Sequence, residues 1–198
     1  MKSPVVILGG GGHAKVLVDA LLLRKIKILG FVDPISKELR VGKCVVKYLG
    51  SDGDFLANRH LRRVSLVNGV GSVGDTTTRT QLFLKFKKKG YRFVSVIHPS
   101  AVVAHGVNLE EGVQIMAGAI IQTGSWVGEN AIINTKASVD HDCVIGAHVH
   151  LAPGVTLSGG VHVGDRSHIG TGVSVRQGVK ITKQSLVRMG SVVIKDIQ

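Results

Sequence analysis

The 198-residue sequence predicts two parallel architectures in series: a small parallel α/β domain over residues 1–96 and a parallel β-helix over residues 97–198. Three observations carry this. Every sixth residue from Ile97 to Val193 is aliphatic, at seventeen successive positions. The first ninety-six residues follow a different rhythm, with short aliphatic runs separated by a glycine turn and by stretches of helical spacing. Finally, 26 glycines against 4% aromatic residues describe a chain of many tight corners and few bulky anchors.

Taken in order, residues 5–8 read as a short buried strand, 9–12 as a glycine turn, 14–23 as an apolar-rich helix and 26–32 as a second strand ending at Asp33-Pro34. That is a βαβ unit. Residues 41–48 read as strand, 52–59 as helix, 64–67 as strand, and 76–89 as a helix with Lys85, Lys87, Lys88 and Lys89 crowding its end. Residues 94–97 lead into the repeat. Neither a helix nor an antiparallel meander has period six, whereas a hexapeptide repeat stacks identical inward positions from coil to coil. A second series four residues later, from Ala101 through Ala119, Ala137 and Cys143 to Ile197, is almost all small. It lies inside, beside the aliphatic series, where space is short. Cys143 belongs to it and reads as a buried thiol rather than a nucleophile.

Gly9-Gly10-Gly11-Gly12-His13-Ala14 satisfies G-x-G-x-x-A between strand and helix, and Asp33 follows about twenty residues on, as in a Rossmann-like domain. Turns without side chains let a diphosphate approach backbone N–H groups at the positive end of a helix, and an acid after the second strand can hold a ribose or base. Gly11, Gly12, His13, Asp33, Pro34 and, at the next strand end, Gly69 are therefore candidate substrate contacts. The alternative is that the glycines only close a tight turn. The domain is less than half a complete dinucleotide fold, so a nucleoside-diphosphate ligand is expected rather than NAD.

Twenty-five Lys and Arg against 13 Asp and Glu give a formal charge of +12. With aromatics scarce and lysines scattered, two phosphorylated small ligands account for this better than nucleic acid does. Cys44 and Cys143 make no disulfide framework. The stretch 16–23 is interrupted by Asp19 and too short to span a bilayer. A cytoplasmic protein without membrane insertion is expected.

Hexapeptides such as Ile145-Gly146-Ala147-His148-Val149-His150, together with Gly-Gly-His near the N-terminus, Asp33-Pro34, Asn134-Thr135 and Val139-Asp140-His141-Asp142-Cys143, resemble the hexapeptide-repeat nucleotide-sugar N-acetyltransferases of the bacillosamine type and the sialic-acid O-acetyltransferases. The resemblance covers nearly the whole chain. It implies a left-handed parallel β-helix with three hexapeptides per triangular coil, so that residues eighteen apart stack. It also implies acetyl-CoA as co-substrate, a nucleotide sugar as acceptor, no metal, and a homotrimer with sites between prisms.

Acyl transfer to an amine needs a base and donors for an oxyanion. On this resemblance His141 is the base, facing outward as the third residue of its hexapeptide, and Asp142 is its partner, with Asp140 as competitor. Gly159, eighteen residues on, stacks over His141 and offers its N–H to the acetyl carbonyl. Asn134 is expected at the substrate, and His150, Thr171 and Lys180 at coenzyme A. His148, His162 and His168 are expected to form a solvent-facing ladder. The sequence ends at Ile197-Gln198 without the Gly-x-Pro-Ala segment usual in these proteins, so contacts at the adenine end are expected to differ. Three other readings stand beside this one: O-acetylation of a sialic-acid-like sugar, a zinc hydratase of the γ-carbonic-anhydrase kind, and a non-catalytic nucleotide-binding scaffold.

Overall fold

The structure, a computed structural model, describes residues 3–61 and 63–198. Its amino-terminal part is built on a three-stranded parallel sheet of β1 (Val5–Leu8), β2 (Ile28–Val32) and β5 (Ser65–Asn68), in the order β2-β1-β5. β1 is wholly buried because helices cover both faces, which explains its uninterrupted apolar run. Helix α1 (Gly12–Leu23) buries Ala14, Leu17, Val18 and Leu21, one stripe at helical spacing. Its N-cap, Gly11, supplies no side-chain cap, which leaves the first N–H groups open.

The stretch expected as one strand over 41–48 is instead a hairpin of β3 (Leu39–Val41) and β4 (Cys44–Val46), antiparallel, with Val41 paired to Cys44. Gly42, at φ +54°, permits the two-residue turn between them. Helix α2 (Asp52–Ala57) starts at a capping box of Ser51 and Asp54. Helix α3 (Thr77–Lys88) follows β5 and ends in the expected lysines. No helix among the described residues is long and apolar enough to cross a membrane.

From Val96–Ile97 onward the chain is a left-handed parallel β-helix of two-residue strands in three parallel sheets of six, six and five strands. Partners lie eighteen residues apart throughout, as Ile115, Ile133 and Leu151 do. Ile115, Ile121, Val127, Ile133, Val139 and Ile145 are fully buried in one continuous core. Between strands, one residue in six from Gly106 to Gly190 turns through positive φ, from 56° to 79°. Most are glycine, but Asn130, Lys136, Asp142, His148, Arg166 and Gln184 occupy the same turn position.

One face of the prism, carrying Gln114, Ile132, His150 and His168, is covered by the α/β part. At the junction lies the fully buried guanidinium of Arg79. Its Nε and Nη2 donate to Asn130 O at 3.2 and 3.1 Å, and its Nη1 donates to Asn68 O and Val70 O at 3.1 and 2.6 Å. These bonds tie α3, the loop after β5 and the second coil together, with carbonyl dipoles in place of a carboxylate. Beside it, His13 Nε2–H donates to Gln114 Oε1 at 2.7 Å, and Gln114 Nε2 donates to Asn68 O at 2.7 Å.

This docking corrects the expected histidine ladder. His148 and His168 are only 5% and 8% exposed, and His148 packs edge-on against Phe83. The hexapeptide register points them outward, but outward on this side means into the α/β part. His162, on another face, is exposed as expected.

Arg79→Met leaves the Asn130 and Val70 carbonyls without a side-chain donor, while Asn68 O keeps Gln114 Nε2, and a loss of about 1–3 kcal/mol is expected. Denaturant unfolding with an unchanged midpoint would refute that. Burial, reinforced by Arg79, lowers the His13 pKa from 6.5 to about 4. The unfolded chain protonates His13 near 6.5, the native one only near 4, so stability falls as pH drops through that interval and levels off below it. Urea titrations across the window should show this slope, and it should be shallower in His13→Gln.

Candidate functional site

The carboxyl ends of the α/β strands and the covered prism face enclose a crevice of about 710 Å³. It brings together Gly11, Gly12, His13, Asp33, Gly69, Asn134, His150 and Thr171 of the expected residues, with Ser72, Pro153 and His168 beside them. The glycines divide by role. A Cβ at Gly10 would strike Phe31 at 2.9 Å and one at Gly69 would strike Ile7 at 2.7 Å, so these close the turn. At Gly11 and Gly12 an added Cβ meets nothing within 4 Å, which leaves room for a ligand over the open N-terminus of α1.

The Asp33 carboxylate is largely engaged by its own loops: Oδ2 accepts from Gly10 N–H at 2.7 Å, and Oδ1 accepts from Ile35 and Ser36 N–H at 2.8 and 2.7 Å. It holds the glycine turn against the end of β2 while lining the crevice. Pro34 borders a smaller cavity of about 380 Å³ on the α3 side of Gly9 and Val70.

His150 is locked by bonds whose direction can be traced. Thr135 N–H donates to Asn134 Oδ1 at 2.8 Å, so the Asn134 amide turns Nδ2 toward His150 Nε2 at 3.0 Å. Nε2 is therefore the acceptor and Nδ1 carries the proton, donating toward Ser72 O at 3.1 Å, with Ser72 Oγ at 2.7 Å. Burial lowers its pKa to about 3, with His168, His13 and Arg79 adding to the effect. His150 thus stays neutral and fastens the loop after β5 to the β-helix, with His168 edge-on at 4.9 Å between ring centroids.

His141 and Asp142 lie elsewhere, on the prism corner opposite the covered face. His141 Nδ1–H donates to Asp142 Oδ2 at 2.8 Å, while Asp140 Oδ1 accepts from the His141 backbone N–H at 2.8 Å. Asp142 is therefore the imidazole's partner. Its hydrogen bond, with Asp140 adding charge, raises the His141 pKa above the usual 6.5. The imidazole is exposed and lies over Gly159, where a Cβ would meet its Cε1 and Nε2 at 2.6 Å. Among the described residues, no hydrogen bond within the chain engages the Gly159 N–H. Cys143 is buried, and desolvation raises its thiol pKa, as expected of a core residue. Lys180 is exposed on the third face, away from the crevice.

Sequence reasoning missed Arg79, Gln114 and Ser72. Each makes a bond that crosses between the two parts, and no spacing rule within one element signals it.

Residues 4–86 match the PglD N-terminal domain, and residues 124–159 match the bacterial transferase hexapeptide (six repeats). Over its whole length the chain is 41% identical to PerB from Caulobacter crescentus, solved in complex with CoA and GDP-perosamine, with a TM-score of 0.86 over 91% of that chain. It is 29% identical to the acetyltransferase domain of PglB from Neisseria gonorrhoeae FA1090, solved with acetyl coenzyme A, with a TM-score of 0.89 over all of this chain and 93% of that one. Over 74 residues it is 36% identical to the 2,3,4,5-tetrahydropyridine-2,6-dicarboxylate N-succinyltransferase of Bartonella bacilliformis, which is 37% of this chain. The chain spans 24% to 50% of the length of such curated relatives. With a PglD-type domain docked on a hexapeptide prism and PerB matched along its entire length, the chain belongs to the hexapeptide-repeat family of sugar acyltransferases.

Proposed function

We propose that this chain moves acetyl from acetyl-CoA to the amino group of a nucleotide-linked amino sugar, in the cytoplasm, with residues 1–96 holding the nucleotide sugar and residues 97–198 supporting the transfer. The observation that carries this reading is the exposed His141 imidazole, bonded through Nδ1 to Asp142 and lying over the free N–H of Gly159. With Nδ1–H committed to Asp142, Nε2 is the acceptor. It takes the proton of the sugar amine as the nitrogen attacks the thioester carbonyl. The Gly159 N–H donates to the oxyanion of the tetrahedral intermediate. Collapse expels the thiolate of coenzyme A, which receives the proton from the imidazolium.

The crevice and the His141 corner lie on opposite sides of one prism, so this reading requires a second copy to bring them together. A homotrimer meets that requirement. Its support is the apolar surface on the two uncovered faces beside the corner: Val102 and Ile120 are exposed on one, and Trp126 and Val144 are partly exposed on the other. In this assembly Thr171 and His150 border the coenzyme path from the crevice side. PerB's complex makes a GDP-linked amino sugar the first acceptor to try.

Acetyl-CoA consumption should therefore be seen with amino sugars linked to GDP, UDP or dTDP and not with the corresponding 4-hydroxy sugars; transfer only to a hydroxyl overturns the amine reading. His141→Ala should lower kcat/KM by about 10²–10⁴ with the oligomer intact, and Asp142→Ala should cost less. Wild-type turnover in His141→Ala removes it as base. Sedimentation at micromolar concentration should give three times the 21.0 kDa chain mass.

A further inference from the structure

The turn holding the dyad sits between two coils that both present glycine to it. Eighteen residues before Asp142 is Gly124, and eighteen after His141 is Gly159. A Cβ at Gly124 would fall inside contact distance of Asp142 Oδ1 and 3.2 Å from its Cγ. Backbone conformation does not by itself require glycine there. Gly124 has φ +75°, but Asn130, Lys136, Asp142, His148, Arg166 and Gln184 take the same position in their own coils at φ 56° to 60°. Gly178, three coils further along the same corner, has φ +74° and nothing within 4 Å of an added Cβ. What distinguishes position 124 from these is the carboxylate above it.

We propose that Gly124 is a positioning residue for the dyad: the absence of its side chain opens the space in which the Asp142 carboxylate turns back to hold the His141 imidazole. The atom a Cβ would meet is the end of an exposed side chain that can swing away, so the clash at 124 adds little to the left-handed backbone cost that a substitution at Gly178 shares. The swing carries Oδ2 off Nδ1 together with Oδ1, and the imidazole loses its orienting partner. The charged groups facing the imidazole are Asp140 and Asp142 on its own turn; the flanking turns, 122–125 and 158–161, carry none. Function enters only through the proposed role of His141 as base.

The test compares Gly124→Ala and Gly124→Asn with Gly178→Ala and Gly178→Asn, using Asp142→Ala as reference, in the intact oligomer with isotope-labelled histidine. Asparagine is included because the chain already carries it at this turn position in Asn130. In both Gly124 variants the His141 titration midpoint should move down to that of Asp142→Ala, while melting temperatures match those of the Gly178 pair. The acid limb of kcat/KM should move with the midpoint, with the same fold loss as in Asp142→Ala. A Gly124 variant titrating His141 as wild type does, or a Gly178 variant shifting it equally, overturns the proposal. If His141 is not the base, the midpoint still moves while the rate profile does not, so the two ideas fail separately.

Discussion

Everything in the carboxyl half depends on a register of eighteen residues held without slippage. Each two-residue strand pairs in parallel with those one coil away, so each residue has a fixed vertical neighbour. This lines up the aliphatic interior, and it also sets which outward side chains meet. A slip of one residue would turn the buried isoleucines toward solvent and lift His141 off Gly159. The chemistry of the corner and the packing of the core rest on the same constraint.

That shared origin explains how much the sequence reveals. The interior of the prism is legible residue by residue, because period six determines which positions point inward. The stacking of Gly159 over His141 follows by counting once the family resemblance supplies three hexapeptides per coil. The hairpin at Gly42 is not, since two short strands joined by a two-residue turn have the composition of one. Nor is the burial of His148 and His168, which depends on which face of a three-sided prism receives the α/β part. Periodicity treats the three faces alike; docking does not. The choice between Asp140 and Asp142 needed side-chain directions, since Asp140 is drawn to the backbone N–H while Asp142, in a left-handed turn, reaches the ring.

The two polar centres of the chain have opposite electrostatic characters. In the crevice, burial and a guanidinium without a carboxylate keep His13 and His150 uncharged, and the one acid, Asp33, is satisfied by backbone N–H groups. Neutral imidazoles beside open N–H groups suit a ligand that brings its own negative charge. At the outer corner two carboxylates flank an exposed imidazole and strengthen its hold on a proton. One histidine-rich sequence thus makes hydrogen-bonded struts in one place and a basic nitrogen in another, and the difference is set by what covers each ring.

Arg79 also bears on how the chain is made. Two of its donating nitrogens, Nε and Nη2, find their acceptor only at Asn130, fifty-one residues later and in the second coil. During synthesis from the amino terminus, the α/β part leaves the ribosome with a guanidinium awaiting that carbonyl, and with the face that receives Val96 and Met116 still bare. It cannot reach its final packing until the prism has begun to wind. The first two coils supply that carbonyl and those side chains, so the packing of the α/β part is complete only once they are in place.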